Sequence, residues 1–346
     1  MRKQTTINLS MQICKLIAAM FVVFIHFGFP GRLGMIIDCI ARFAVPMFFA
    51  ISGYFSYKIN NKKIEKRIIY MLKLNIYAIS FYLLLNIIEV KYIFNGSVYN
   101  YLHSVLNLTS IAKWIILNLE PIAGHLWYLT SILIVYIFLW IYTRFFDEKS
   151  INYKPLYMTG VFLIIIHILI GSNAAPAGIQ ISYIIYRNAL FWGLPMFCLG
   201  MFINQYYKRI IKNFNLSSLK IILIIIFGLL FSLIEYIGIG KTEMPIGMIF
   251  TVIGILLIVI RHPNTELIKN KYILSIVNTI PLIIYIIHPS INWILLKLLK
   301  PEIYENMYLY PFVILATSVL FGILYNILIK LFKCLIEKIK ICIIRG

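Results

Sequence analysis

The chain has 346 residues, of which 62% are hydrophobic, and it carries a formal net charge of +20. This composition excludes an ordinary soluble domain, because the apolar residues form long runs separated by short basic stretches. Continuous apolar runs also argue against a β-barrel, whose strands alternate apolar and polar residues. The basic residues lie between the runs, so we interpret them as topology signals and lipid contacts rather than as a nucleic-acid site.

Ten apolar runs predict an all-α fold, a polytopic integral membrane helix bundle with about ten transmembrane helices. The runs cover residues 11–29, 36–57, 68–90, 125–143, 155–172, 188–206, 220–238, 245–260, 279–299 and 310–332. Most lysines and arginines follow the even-numbered runs, which places both termini in the cytoplasm. We therefore predict one transmembrane domain over residues 1–346. The long outer loop, 91–124, is expected to hold a short interfacial helix.

The cysteine and histidine spacings predict neither a disulfide framework nor a metal site. The five cysteines are odd in number and contain no C-x-x-C pair. No single run contains an H-x-x-x-H motif or a carboxylate and a histidine at metal-ligand spacing. We expect no metal and no permanently bound cofactor.

Two ionisable residues lie within the first run, Lys15 and His26. A charged lysine at membrane depth costs at least ~2.5 kcal/mol on insertion scales, so ionisable residues there usually mark function. Eleven residues separate the two, about three helical turns, so both project from one face of a helix. This spacing indicates a polar path along that face, although Lys15 at the inner end is also placed to snorkel.

Further polar residues fall near the outer ends of other runs. They are Arg42, His125, Arg187, Asn188 and Glu235, and His288 lies near the middle of the ninth run. Together they suggest acid–base chemistry by a histidine, with arginines that stabilise a developing oxyanion or bind an anion. Most of them have a structural alternative. The arginines would snorkel, Glu235 would pair with one of them, His125 would belong to an interfacial aromatic belt, and His288, before a proline, would cap a kink.

Several motifs resemble the membrane acyltransferase 3 family of bacteria. That family has a basic residue, ten residues and a histidine in its first span, which matches Lys15 to His26 except that the family's usual basic residue is Arg. The segment from Arg42 to Phe55, RFAVPMFFAISGYF, resembles the family's R-x-x-x-P-x-F-F…S-G segment. The segment HLWYL from His125, the pair Arg187-Asn188, Glu235, and YIIHP ending at Pro289 resemble later landmarks.

The resemblance implies an enzyme of the bacterial plasma membrane that transfers an acyl group, usually acetyl, from cytoplasmic acyl-CoA. The acceptor would be a hydroxyl of a cell-envelope glycan or its lipid-linked precursor. His26, Lys15 and Glu235 are the implied catalytic residues. The implied substrate-binding residues are Arg42, His125, Trp127, Arg187, Asn188 and His288. Acetyl-CoA would be a substrate rather than a resident cofactor, and the basic stretch around Lys62, Lys63 and Arg67 is placed to hold its phosphates.

Two alternatives belong to other functional classes. The chain also resembles the membrane portion of vancomycin-resistance serine racemases, which has Lys at the basic position of the first span and is linked to serine uptake. A carrier for serine-like amino acids would need a polar cavity and no covalent chemistry, so it would tolerate glutamine at His26. A structural subunit of an export complex would leave the buried charges unexplained.

Overall fold

The computed structural model describes residues 8–146, 150–171, 187–264, 271–298 and 308–345. The secondary structure within these ranges is helical, with no strand among them. The all-α prediction is therefore confirmed for this part of the chain.

The helices are named here in chain order, with their first and last residues. They are α1 Leu9–His26, α2 Gly31–Ala41, α3 Ala44–Tyr54, α4 Asn61–Tyr92, α5 Val98–Val105, α6 Leu108–Leu117, α7 Trp127–Arg144, α8 Lys154–Gly171, α9 Leu194–Asn213, α10 Ser218–Ile239, α11 Ile246–Arg261, α12 Lys271–Leu298 and α13 Tyr310–Arg345. A 3₁₀ turn, Gly124–Leu126, precedes α7, and a π-helical turn, Ala189–Gly193, precedes α9. The α6 helix lies within residues 91–124, the segment in which the sequence predicted a short helix.

Among the described residues, seven helical segments are long and apolar enough to cross a bilayer. They are Leu9–His26, Gly31–Tyr54, Asn61–Tyr92, Gly124–Arg144, Ser218–Ile239, Leu274–Leu298 and Tyr310–Phe332. The α8 and α11 helices are apolar but shorter, and the second half of α9 is polar. The protein is thus a multi-pass membrane protein, while the count of about ten spans and the cytoplasmic termini stay predictions.

The helices pack as two compact units. The first joins the described residues up to Ala44 with those from Ile258 onward, so that α1 packs with α2, α12 and α13. The fully buried residues of α1 are Met11, Val23 and two small residues, Ala18 and Ala19. Small side chains allow membrane helices to approach closely. The prediction of a single domain over the whole chain is not tested by this division.

The second unit, residues 45–257, is built around α4, α7 and α9. Two glycines set how closely α3 and α9 cross. A Cβ on Gly53 would lie 1.9 Å from the carbonyl oxygen of Phe197, and a Cβ on Gly200 would lie 1.8 Å from that of Ala50. The two backbones therefore touch at glycine from both sides, as in other membrane helix pairs with small residues at the interface.

One end of this unit carries a set of polar contacts. The guanidinium of Arg67 donates to the Phe55 carbonyl at 2.9 Å and to Ser56 Oγ at 2.6 Å, so it caps the C-terminal end of α3. Glu65 accepts from Arg144 at 2.7 Å and from the indole of Trp140 at 3.0 Å. The first turns of α4 and the last turns of α7 are thereby joined at the end that the charge pattern predicts to be cytoplasmic.

Candidate functional site

His26 and His288 are brought together in the first unit. Their ring centroids lie 5.0 Å apart with an interplanar angle of 43°. His26 is the last residue of α1 and is exposed, whereas His288 lies within α12 and has no exposed surface. The exposed His26 ring is accessible to a substrate, and the buried His288 ring is placed to influence His26.

The backbone of α12 fixes the tautomer of His288. Its Nδ1 lies 3.0 Å from the carbonyl oxygen of Ile284, one turn earlier. A carbonyl only accepts, so Nδ1 carries the proton, and in the neutral ring Nε2 holds the lone pair.

Pro289 and Pro281 both lie within this helix. Since a proline at position i removes the hydrogen bond to the carbonyl of residue i−4, proline interrupts the backbone ladder in this part of α12.

Lys15 does not lie beside His26. It is half-buried in the middle of α1, eleven residues before the histidine, which is about 16 Å along a helix axis. The two share a face of α1, as the spacing predicted, but they are too far apart to act on one atom. A catalytic role for Lys15 at the same reacting centre is therefore not supported by its position on α1.

Arg42 forms a buried ion pair with Asp38. Its Nη2 lies 3.0 Å from both carboxylate oxygens, and the exposed fractions of the two side chains are 5% and 13%. The pair joins the C-terminal end of α2 to the residue four positions earlier. The ion pair fixes the position of the Arg42 side chain, so Arg42 does not extend toward the lipid headgroups. The Asp38 carboxylate balances the charge of Arg42 at membrane depth.

Arg187 lies against a pair of stacked tryptophans in the second unit. Its guanidinium carbon is 5.5 Å from the centre of the Trp127 ring. Trp127 in turn stacks on Trp192, with centroids 5.3 Å apart and planes inclined by 15°. A cation over an indole face is stabilised by the ring quadrupole, and more strongly when water is excluded. Both indoles are buried.

Asn188, next to Arg187, caps the π-helical turn. Its Oδ1 accepts from the backbone N–H groups of Leu190 and Phe191, each at 3.0 Å. The π-helical geometry itself is uncommon and recurs at functional sites. The amide oxygen of Asn188 is used by the backbone, so its contribution to a site is to orient the turn that carries Trp192.

His125 lies in the 3₁₀ turn before α7 and packs edge-to-face on Tyr82, with centroids 4.8 Å apart. The loop before this turn is held by Glu120, whose carboxylate accepts from the backbone N–H groups of Ile122, at 3.1 Å, and Ala123. Burial raises the pKa of the Glu120 carboxyl above its usual range, against the opposing effect of these two hydrogen bonds. Glu120 therefore supports the backbone that presents His125.

Glu235 caps a helix. Its carboxylate oxygens accept from the backbone N–H groups of Ile246 at 3.0 Å and Gly247 at 2.8 Å, at the start of α11. A carboxylate there satisfies two otherwise unpaired donors and interacts favourably with the helix dipole. The side chain is 6% exposed, and these contacts give it a structural function that the sequence did not reveal.

The predicted residues thus fall in both units. Lys15, His26, Arg42 and His288 belong to the first unit, and His125, Trp127, Arg187, Asn188 and Glu235 to the second. Sequence reasoning missed Asp38, although its spacing of four from Arg42 on a helix is the signal for an ion pair. It also missed Trp192, for which the sequence gives no signal. No group of three or more potential metal ligands occurs in the part of the chain that the structure describes.

Comparisons with known proteins identify one family. The model of that family, Acyl_transf_3, described as an acyltransferase domain, matches residues 8–327. Searches of curated proteins and of solved structures gave no match. Because the family model covers nearly the whole chain, the protein belongs to the acyltransferase 3 family and is a membrane acyltransferase.

Proposed function

We propose that the protein transfers an acyl group, most simply acetyl, from acyl-CoA to a hydroxyl of a cell-envelope glycan or its lipid-linked precursor. The family supports acyl transfer in general. The donor, the acyl group, the acceptor and a bacterial plasma-membrane location belong to the proposal. The observation that carries it is the pair formed by the exposed His26 and the buried His288.

In this reaction His26 is the general base. It takes the proton of the acceptor hydroxyl as the oxygen attacks the thioester carbonyl carbon. The tetrahedral intermediate then collapses, the C–S bond breaks, and His26 returns the proton to the CoA sulfur. The products are an ester and CoA thiol. Proton transfer by a positioned histidine contributes about 10²–10⁴-fold to such a rate.

His288 acts through His26 in this proposal. Its Nδ1–H is committed to the Ile284 carbonyl, so the lone pair on Nε2 is on the opposite side of the ring. A buried neutral imidazole next to the base restricts the orientation of the base and stabilises it when it becomes protonated. This is the function that a carboxylate performs in hydrolase triads, carried out here by a weaker acceptor.

The CoA phosphates need cations on the cytoplasmic side. Lys62, Lys63 and Lys66 at the start of α4 are exposed. Arg67 of the same stretch is used by the Phe55 carbonyl and Ser56, so the lysines are better placed to bind phosphate than Arg67.

The test uses the full chain in lipid nanodiscs with radiolabelled acetyl-CoA and a glycan-containing membrane extract. Both the label transferred to glycan and the free CoA would be measured. CoA would be detected by mass spectrometry, because a thiol reagent would also react with the exposed Cys334 of the protein. His26→Ala and His26→Gln would be compared with His103→Ala, which alters an exposed histidine of α5. Loss in both His26 variants, with the His103 variant unaffected, is the expected result.

The carrier alternative predicts a different pattern. A carrier would give no acetyl transfer in the wild type, would take up labelled serine into proteoliposomes, and would keep uptake in His26→Gln. Folded wild-type protein that transports serine but releases no CoA from any acyl-CoA would overturn the enzyme proposal.

A further inference from the structure

A long apolar groove lies between α8 and α9 in the second unit. Its volume is about 590 Å³, within the range of ligand sites. The walls are apolar and include Val161 and Ile165 on α8 and Pro195 and Phe202 on α9. Gly160 brings the helices together at its floor, since a Cβ there would lie 2.9 Å from the Cβ of Cys198.

The two ends of the groove differ in polarity. One end is lined by Lys154, the first residue of α8, and by Tyr206 on the later half of α9. Three further exposed cations lie on the last turns of α9: Lys208, Arg209 and Lys212. Neither α8 nor α9 contains an aspartate or glutamate. The polar end is therefore positively charged, and no acid on these two helices offsets it.

The length of the groove matches one leaflet of a bilayer. Its lining on α8 runs from Lys154 to Ile165, which is about 16 Å along a helix axis. The hydrocarbon core of a membrane is about 30 Å thick, so half of it is about 15 Å. A ligand with a chain of one leaflet's depth and an anionic head at Lys154 fits both the dimension and the charge.

We infer that this groove is a binding site for an anionic phospholipid. One acyl chain lies along Val161 and Ile165, and the phosphate is held by Lys154 together with the cations at the end of α9. The acyl chain covers apolar surface of both helices. The cations at the polar end favour an anionic headgroup over a neutral one. The inference concerns the second unit alone and does not depend on the reaction proposed above.

The test is photo-crosslinking in nanodiscs with a diazirine placed on the acyl chain of phosphatidylglycerol or phosphatidylcholine. Labelled peptides would be quantified by mass spectrometry. Phosphatidylglycerol should label the 154–171 and 194–213 peptides several-fold more than phosphatidylcholine does, and more than it labels the exposed face of α10. Equal labelling by the two lipids, or equal labelling of α10, would overturn the inference.

Two pairs of variants separate the chain site from the head site. Val161→Trp with Ile165→Trp fills the groove from exposed positions and should abolish the excess label, whereas Leu169→Trp, exposed on α8 outside the groove, should not. Lys154→Gln should reduce labelling by phosphatidylglycerol to the level of labelling by phosphatidylcholine. Lys220→Gln on α10 should leave the preference for phosphatidylglycerol intact. Excess label that survives filling of the groove would contradict the site.

One competition decides the class of ligand. Palmitoyl-CoA carries the same chain with a larger anionic head. If palmitoyl-CoA displaced the photolipid at equal concentration and phosphatidylglycerol did not, the groove would belong to an acyl donor and the inference would be wrong. Displacement by phosphatidylglycerol and not by palmitoyl-CoA is the expected outcome.

Discussion

His26 at the end of α1 and His288 in α12 lie with their ring centroids 5.0 Å apart, although they come from opposite ends of the chain. The exposed ring is the proposed base, and the buried ring has its Nδ1–H bound to the Ile284 carbonyl. In the proposed reaction, His26 therefore contacts the substrate and His288 orients His26.

His288→Asn tests that separation. The asparagine amide still donates to the Ile284 carbonyl, so that contact is kept, but the second ring nitrogen, Nε2, is removed. We expect a lower kcat with little change in KM for acyl-CoA, and a displaced acid limb of the pH–rate profile. Steady-state kinetics between pH 5 and 9 would measure both. A variant with a wild-type profile would rule out action through His26.

Asp38→Asn should destabilise the first unit strongly. Removing one partner of a buried ion pair leaves an uncompensated charge, which costs about 3–5 kcal/mol. Thermal unfolding of the protein in nanodiscs would report the loss. The matched control is Glu65→Gln, which breaks the exposed pair with Arg144 and should cost no more than about 1 kcal/mol. Equal effects of the two substitutions would contradict the buried pair.

Glu235 distinguishes a cap from a catalyst. Glu235→Ala removes the acceptor of two backbone N–H groups and should cost about 0.5–2 kcal/mol, the usual range for a lost helix cap. Glu235→Gln keeps one acceptor and should keep most of the activity. If Glu235→Gln instead abolished acyl transfer without lowering the unfolding temperature, Glu235 would be catalytic, as the family resemblance implies.

The pH dependence of stability should carry a contribution from Glu120. Because burial raises the pKa of this carboxyl in the folded protein, the folded state binds more protons than the unfolded state just above the ordinary glutamate range. Its contribution to the free energy of unfolding therefore decreases as the pH rises through that interval. Glu120→Gln mimics the protonated form and should flatten the slope. Unfolding temperatures from pH 4 to 7 that fall in parallel for both proteins would exclude the effect.

Gly53→Ala and Gly200→Ala should each destabilise the crossing of α3 and α9. The added Cβ meets a backbone carbonyl that no rotamer change can move. Overpacking usually costs about 1–3 kcal/mol, and we expect the upper end of that range or more. Gly238→Ala is the control, because nothing lies within 4 Å of a Cβ at that position of α10. Unfolding temperatures in one detergent would compare them.

The sequence alone determined that the protein crosses a membrane as helices and that Lys15 and His26 share one face of α1. Both follow from short-range rules: apolar runs must satisfy their backbone hydrogen bonds internally in lipid, and helical periodicity fixes a face. Asp38 was also within reach of the sequence, since an acid four residues before an arginine on a helix is a local pattern.

Tertiary structure decided the rest. Only the packing of α1 against α12 places His288 next to His26, and only the fold of the second unit stacks Trp192 on Trp127. The capping of α11 by Glu235 depends on where two consecutive helices meet, which hydropathy does not specify. The two ring contacts join residues that are distant in the chain, and the geometry of all three contacts is set by the close packing of side chains between helices rather than by any local preference.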